Sequence, residues 1–280
     1  MSHLPVPIGP TLGASDLDAL QTAVTALERT SFASRLSSVA GRQIGFAGRL
    51  IPQPLQEAAT AAAHKALEVA LRVALSSVER HPVARTDARH RRLAMVSGAV
   101  GGAIGFAALP FELPVSTTIM LRSILEIARD EGEDLSAPEA RVACLQVFAL
   151  GGHAQEDNIL EGGYLALRGV LAKSVSDAAR YVAQNGVAAE GAPIVVSVLR
   201  QIASRFGVVV SQKAAAQAAP IFGAVSGAAI NFAFADHFQQ LARGHFTVRR
   251  LERIHGPVVV RAHYARIARE NGYWRNDGAG

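Results

Sequence analysis

The chain has 280 residues, half of them hydrophobic but only 6% aromatic, and a formal net charge of +5. This length and apolar content exclude a disordered chain and are sufficient for one large core. The single cysteine, Cys144, excludes an internal disulfide and a cysteine-rich zinc site. The mean hydropathy of +0.21 is high for a soluble protein and low for a multispan membrane protein.

The first predicted elements are an arm and two helices. Residues 1–14 are rich in proline and glycine and predict a flexible arm. They lack the basic and apolar regions of a secretory signal, so we expect a cytoplasmic protein. Ser15 and Asp16 are typical cap residues and predict a helix over residues 17–29. Apolar residues at helical spacing, without glycine or proline, predict a long helix over residues 54–77.

The middle of the chain alternates between charged and apolar stretches. A basic stretch contains Arg80, Arg85, Arg89, Arg91 and Arg92, and is followed by a charge-free run at 93–111. Helical patterns continue over residues 114–129, before an acidic turn at 131–134. Ser136 with Glu139 three residues later matches a capping box, which predicts a helix that continues to Leu150. Gly151 and Gly152 end that helix.

The C-terminal part is also helical by pattern. Helices are predicted over residues 157–184 and 192–206, a second charge-free run covers 214–235, and a last helix includes 248–270. The tail at 272–280 is expected to fray. No segment alternates long enough to indicate a strand. We therefore predict an all-α, Ala/Gly-rich multi-helix bundle that forms a single domain over residues 15–271.

Both charge-free runs contain glycines four residues apart. These glycines are Gly98, Gly101, Gly102, Gly105, Gly223 and Gly227. The spacing places them on one helix face, where the missing Cβ atoms allow a second helix to approach closely. Residues 98–103 are also similar to 223–228, which fits either a degenerate duplication or one packing solution used twice. We expect the two runs to pack together at the centre of the bundle.

The charge distribution is compatible with a membrane surface. Residues 112–213 carry nine basic and twelve acidic side chains, so the rest of the chain carries about +8, much of it flanking the two charge-free runs. A peripheral protein that lies on anionic lipid has this pattern. Membrane-spanning helices under the positive-inside rule and a soluble protein with a basic surface are the alternatives. We favour the peripheral protein, because glycines and prolines weaken both runs as membrane spans.

Several separated blocks resemble the EcsC family. The signature-like stretch is Leu-Pro-Phe-Glu-Leu-Pro at 109–114, followed by Thr117-Thr118 and by residues 121–124. Similar blocks occur at 131–134, 147–152, 223–231, 236–238, 242–246 and 249–252, so that the resemblance covers roughly residues 44–264. The family's name comes from a bacterial operon that also encodes the ATPase and membrane subunits of an ABC exporter. The resemblance implies a bacterial protein linked to membrane transport or secretion, and it implies no catalytic residues.

A candidate polar cluster lies near the ends of the two charge-free runs. Its members are Glu112, Arg122, Glu126, Asn231, Asp236, His237, Arg249, Arg250 and Glu252. A charge beside an apolar run must be paired, so we expect Glu112 and Asp236 to meet arginines such as Arg122, Arg249 or Arg250. The first alternative is a pocket in which Glu112, Asp236 and His237 act on a lipid-like molecule. The second is a phosphate head group held by Arg249 and Arg250.

No motif of a metal site, a nucleotide-binding loop, a serine nucleophile or a nucleic-acid-binding domain occurs. We therefore expect no metal, no cofactor and no nucleic-acid partner. The leading hypothesis is a non-enzymatic accessory protein, cytoplasmic and peripheral on the inner membrane. Its expected partner is an anionic membrane surface, with the arginines of 80–92 as candidates for that contact, or a membrane transporter. An enzyme for an amphiphile and a scaffold that forms homo-oligomers are the competing classes.

Overall fold

The computed structural model describes residues 12–29, 31–32, 35–36, 53–76, 109–152, 163–185, 191–218 and 224–274. Its helices are α1 Ala14–Glu28, α2 Gln53–Ser76, α3 Leu109–Asp130, α4 Pro138–Leu150, α5 Gly163–Asn185, α6 Pro193–Ala218, α7 Ala224–His255 and α8 Pro257–Glu270. These described residues contain no strand. The predicted all-α multi-helix fold is confirmed.

The core lies where α4, α6 and α7 meet. The ring of Phe148 on α4 contacts Phe206 on α6 at 4.9 Å and Phe238 on α7 at 5.3 Å between centroids. Tilted ring pairs of this kind stabilise a core beyond the apolar area that they bury. On one side α2 packs along α6 and α3, and on the other side α1 and α8 pack against α7. The helix α5 covers α4 and α6.

The two parts of the second charge-free run that the structure describes lie in different helices. Residues 214–218 end α6, and 224–235 begin α7. Most of the first run lies outside the described residues, and its last three residues, 109–111, begin α3.

A different helix has the composition of a membrane span. Within the described part of the chain, the segment Pro193–Gln217 of α6 is long and apolar enough to cross a bilayer. However, 56% of its most apolar window is buried within the fold, and α6 packs against α2, α4 and α5. A core helix of a soluble protein has the same features. The predicted end of this helix at 206 is wrong, because the apolar face continues through Val209, Val210 and Ala214.

The predicted caps are wrong at two helix starts. α1 begins at Ala14 without a side-chain cap, and Asp16 instead lies 2.7 Å from the ring of His255 at the end of α7. α4 begins at Pro138, while the hydroxyl of Ser136 donates to Asp134 at 2.6 Å. Proline is common at the first helical position, because the N–H that it lacks would have no partner within the helix and its φ is already helical.

The sequence patterns predict α2 and the acidic turn correctly, but they do not predict the break between α7 and α8. The predicted helix 54–77 is confirmed as α2, and the acidic turn at 131–134 separates α3 from α4. The predicted last helix is divided in two by Gly256, whose φ is +85°. This backbone conformation favours glycine, and Pro257 begins α8 immediately afterwards. We call residues 254–258 the α7–α8 corner.

The predicted packing of glycine-spaced helices falls mostly outside the described residues. This applies to Gly98, Gly101, Gly102, Gly105 and Gly223, and Gly227 is described only as a residue of α7. A close helix contact is instead present at Gly152, after α4. A Cβ atom added there would lie 2.3 Å from the carbonyl oxygen of Arg205 on α6. The structure therefore depends on glycine at this position.

We expect Gly152→Ala to lower the free energy of unfolding by about 1–3 kcal/mol, because the added methyl group must displace the α6 backbone. Gly169 is the matched control, since nothing lies within 4 Å of an added Cβ on this exposed position of α5. Gly169→Ala should raise the free energy of unfolding by up to about 1 kcal/mol through helix propensity. Urea denaturation measures both changes, and equal effects at the two sites would contradict the close contact.

Candidate functional site

Glu112 is the centre of a buried polar network that joins three helices. It lies in the first turn of α3 and is 7% exposed. Its carboxylate accepts from Lys213 Nζ at 2.8 Å and from Gln217 Nε2 at 3.1 Å, both on α6. Asn231 Nδ2 on α7 donates to the same carboxylate at 2.6 Å. The expectation that Glu112 pairs with an arginine is wrong, because its cationic partner is Lys213.

The Lys213 ammonium is fully buried and lies 4.7 Å above the ring of Phe234. Burial alone would raise the pKa of Glu112, but Lys213 and the two amide donors outweigh burial and hold the pKa below its usual value. Burial is also the larger influence on Lys213 and lowers its pKa, while Glu112 opposes this. A pair so enclosed fixes how α3, α6 and α7 pack on one another.

Asp236 and His237 lie further along α7 and do not reach Glu112. Arg35 pairs with Asp236 and also donates to Gln240. The imidazole of His237 is buried against the rings of Phe32 and Phe238, with centroids 5.6 and 5.2 Å away. The sequence-predicted trio of Glu112, Asp236 and His237 is therefore distributed over separate environments.

The acidic turn between α3 and α4 holds the arginines of α7. Glu133 accepts two hydrogen bonds of 2.8 Å from Arg249 and also pairs with Arg253. Arg250 Nε donates to Glu131 at 2.7 Å. Burial raises the pKa of Glu133, but the two arginines reverse this and hold it below its ordinary value. Two separated blocks that resemble the EcsC family thus meet in space.

A cleft with a strong positive charge opens beside this turn. It measures about 290 Å³ and lies between α5, α7 and α8, and we call it the arginine cleft. Its lining residues are Arg168, Arg249, Glu252, Arg253, Pro257 and Arg261. Glu252 pairs with Arg168 and lies 3.6 Å from Arg261. The remaining positive charge makes this cleft suitable for an anionic group.

A second buried network anchors α1 and α8 to the bundle. Glu28 accepts from the hydroxyl of Tyr264 at 2.7 Å and from the backbone N–H of Tyr164 at 3.2 Å. The hydroxyl of Tyr164 bonds His245 Nδ1 at 2.9 Å. Burial raises the pKa of Tyr164 to about 12 and lowers that of His245, so both groups are neutral at pH 7. These contacts are structural, since the groups are enclosed.

The remaining predicted site residues are Arg122, Glu126 and the arginines of residues 80–92. Arg122 is exposed on α3, whereas Glu126 is buried on the same helix. The predicted surface arginines Arg80, Arg85, Arg89, Arg91 and Arg92 lie outside the described residues.

Sequence reasoning missed several important partners: Arg35, Glu133, Arg168, Lys213, Gln217 and Arg261. A signal existed for one pair. Lys213 and Gln217 are four residues apart and share one face of a largely apolar helix, which indicates a polar contact inside the core. The acidic partners of Arg35 and Arg168 lie more than 80 residues away in sequence and left no local signal.

The carboxylates of Glu112 and Asp236 are both engaged within the fold. Glu112 accepts three hydrogen bonds inside the core, and Asp236 pairs with Arg35 and accepts from Gln240. Within the described ranges, no three His, Cys, Asp or Glu side chains are grouped so that they would hold a metal ion. Among the described residues, the arginine cleft is a surface with the positive charge to receive an anionic partner.

Comparison with known proteins supports the resemblance to the EcsC family. A model of the EcsC protein family matches residues 17–251, which begins earlier and ends earlier than the blocks alone indicate. No curated protein and no solved structure matches the chain. The family match includes the Glu112 network and the acidic turn with Arg249 and Arg250. The chain therefore belongs to the EcsC protein family.

Proposed function

We propose that this protein is a non-enzymatic accessory protein that binds peripherally to an anionic membrane through the α7–α8 corner. The observation that carries the proposal is the exposure of two large apolar side chains on either side of Gly256. Ile254 is 59% exposed and Val258 is 80% exposed. Insertion of such side chains below the head groups removes apolar surface from water, at about 25 cal/mol per Å².

The charges around the corner favour an anionic surface. The side chains of Arg253 and Arg261 flank it and are 41% and 62% exposed. Between Arg243 and Glu270 the chain carries seven arginines and two glutamates, a net charge of +5. Each basic residue near an anionic leaflet contributes about 1 kcal/mol. Reversible docking combines two such modest contributions, one apolar and one electrostatic.

The family resemblance adds a proposed place of work. It links the protein to a bacterial operon for an ABC exporter, so we propose docking on the cytoplasmic face of the inner membrane beside a transport or secretion system. A membrane transporter is then a second partner of the docked protein. Homo-oligomerisation through the same apolar corner is the competing explanation, and it predicts a dimer in the absence of lipid.

Co-sedimentation with phosphatidylglycerol vesicles tests the corner. We expect Val258→Asp to weaken vesicle binding at least tenfold, because it removes an inserting side chain and adds a repelled charge. Val170→Asp is the matched control, since Val170 is 72% exposed on α5 and is not part of the corner. It should bind like the wild type.

Three further measurements complete this test. Phosphatidylcholine vesicles and high salt should each reduce binding of the wild type, because the electrostatic contribution is screened or absent. Circular dichroism verifies that both variants are folded. Equal binding of Val258→Asp and Val170→Asp would overturn the assignment of the corner. A dimer without lipid that Val258→Asp dissociates would support homo-oligomerisation instead.

A further inference from the structure

A second cleft, of about 420 Å³, lies between α4, α5 and α7. Its walls are small apolar side chains of two helices: Ala140 and Ala143 on α4, and Ala172, Val175 and Ala179 on α5. The polar part of the lining consists of Glu133, Asp134, Gln146, Arg168, Ser176 and Arg249. We call this site the alanine cleft, and its polar end is the part where Arg168 and Arg249 adjoin the arginine cleft. Its volume falls within the range of about 300–1,000 Å³ that is typical of small-molecule sites.

Gln146 gives the cleft an unsatisfied donor. The residue is 4% exposed and lines the cleft, and its Nε2 has no hydrogen-bond acceptor among the described residues. A buried amide donor without an acceptor costs about 1–3 kcal/mol. An oxygen atom of a bound molecule would remove this cost. This observation is independent of the small side chains that form the walls.

Two arginines lie at the same end of the cleft. Arg168 donates to Glu252 and to the hydroxyl of Tyr164, and Arg249 donates to Glu133 through Nε and Nη2. A guanidinium has five N–H donors, so each arginine retains donors for another partner. Both side chains also line the arginine cleft, which makes the two clefts adjoin. The polar end therefore combines positive charge with an unfilled amide donor.

The two acidic side chains that line the alanine cleft, Glu133 and Asp134, already have partners. Glu133 is paired with Arg249 and Arg253, and the exposed Asp134 is bonded to Ser136. The adjoining arginine cleft contributes Arg261 and only one acid, Glu252. Together the two clefts are lined by four arginines and three carboxylates, so an anionic head group where they adjoin would face one more arginine than carboxylates.

We infer that the alanine cleft binds a single-chain amphiphile with a carboxylate or phosphate head. The head lies at Arg168, Arg249 and Gln146, and the alkyl chain lies between the alanine-rich faces of α4 and α5. The methyl side chains leave room for an unbranched chain, which larger core residues would fill. This binding goes beyond membrane docking and does not require it, because the α7–α8 corner is not part of the alanine cleft.

Isothermal titration with monomeric dodecanoate and dodecyl phosphate, both below their micelle-forming concentrations, tests the site. The wild type should bind one molecule of at least one of them, and the preferred head distinguishes the carboxylate from the phosphate source. Dodecanol should bind at least tenfold more weakly, because it lacks the charge that the arginines recognise. No binding of either anion would overturn the inference, and equal binding of dodecanol would overturn the role of the arginines.

Two variants locate the site. Ala172→Trp fills the cleft from an exposed position of α5, and Gln146→Leu removes the amide donor. Each should weaken binding at least tenfold. Ala61→Trp, at an exposed position of α2, is the matched control and should bind like the wild type. Wild-type binding by both cleft variants would place the amphiphile elsewhere and overturn the inference.

The corner variant separates this inference from the proposed membrane docking. Val258→Asp should retain amphiphile binding and lose vesicle binding, whereas Ala172→Trp should lose amphiphile binding and retain vesicle binding. Loss of both activities in Ala172→Trp, with an unchanged circular dichroism spectrum, would contradict the independence of the two sites.

Discussion

Lys213→Met is expected to lower the free energy of unfolding by about 3–5 kcal/mol, because it leaves the buried carboxylate of Glu112 without its cation. Methionine has nearly the length of lysine and fills the same space, so the loss reports charge and not volume. Asn231 and Gln217 still donate to the carboxylate, which limits the loss in the free energy of unfolding. Urea denaturation at pH 7 measures the change.

The double variant Lys213→Met with Glu112→Gln separates the charge from the packing. Glutamine keeps an acceptor for Asn231 and carries no charge, so the double variant should recover at least half of the stability that Lys213→Met loses. Lys173→Met, at an exposed position of α5, is the surface control and should change stability by no more than about 0.5 kcal/mol. A loss below about 1 kcal/mol in Lys213→Met would show that the pair does not hold the core.

Glu133→Ala is expected to lower the free energy of unfolding by about 2–3 kcal/mol. The side chain of Glu133 is only 6% exposed and accepts from Arg249 and Arg253, and each charged hydrogen bond is worth about 1.5–3 kcal/mol. The partly exposed arginines are hydrated again when the carboxylate is removed, so the net loss of stability is smaller than the sum of the two hydrogen bonds. Glu270→Gln, which breaks the exposed pair with Arg266, should change stability by no more than about 0.5 kcal/mol.

The pH dependence of stability is a second test of the contacts between Glu133 and its two arginines. The pKa of Glu133 is held below its ordinary value of 4.5, so its contribution is fully present above that value and is lost as the pH falls through the lower folded pKa. Glu133→Gln should therefore lose less stability than the wild type between pH 6 and pH 3, as measured by urea denaturation at each pH. Parallel curves for the two proteins would mean that the arginines do not stabilise this carboxylate.

Local sequence patterns were sufficient for the helices and for several of their ends. The uninterrupted apolar spacing of α2 and the glycine pair after Leu150 act within one or two turns, so no tertiary information is needed. The α7–α8 corner was missed although Gly256 and Pro257 together are a strong break signal. Residues on both sides of that dipeptide have the same mixture of arginines and apolar residues, and for this reason one helix was predicted where there are two.

The polar partners depended on tertiary packing and were not predictable from local patterns. Glu112 was correctly expected to need a partner, but its ammonium comes from Lys213, 101 residues further along the chain. Arginines are abundant in this sequence, and a cluster of them at 249–253 is as compatible with Glu112 as with the acidic turn. Only the path of α7 past that turn determines the pairing. Each cleft likewise combines two consecutive helices with a third that is distant in sequence.

Fractionation of the native protein from its cells tests peripheral membrane association most directly. Membranes are washed separately with high salt, alkaline carbonate and detergent, and the protein is followed in each pellet and supernatant. The account predicts a membrane-bound fraction that salt or carbonate releases. Recovery of the whole protein in the soluble fraction, or release by detergent alone, would contradict it.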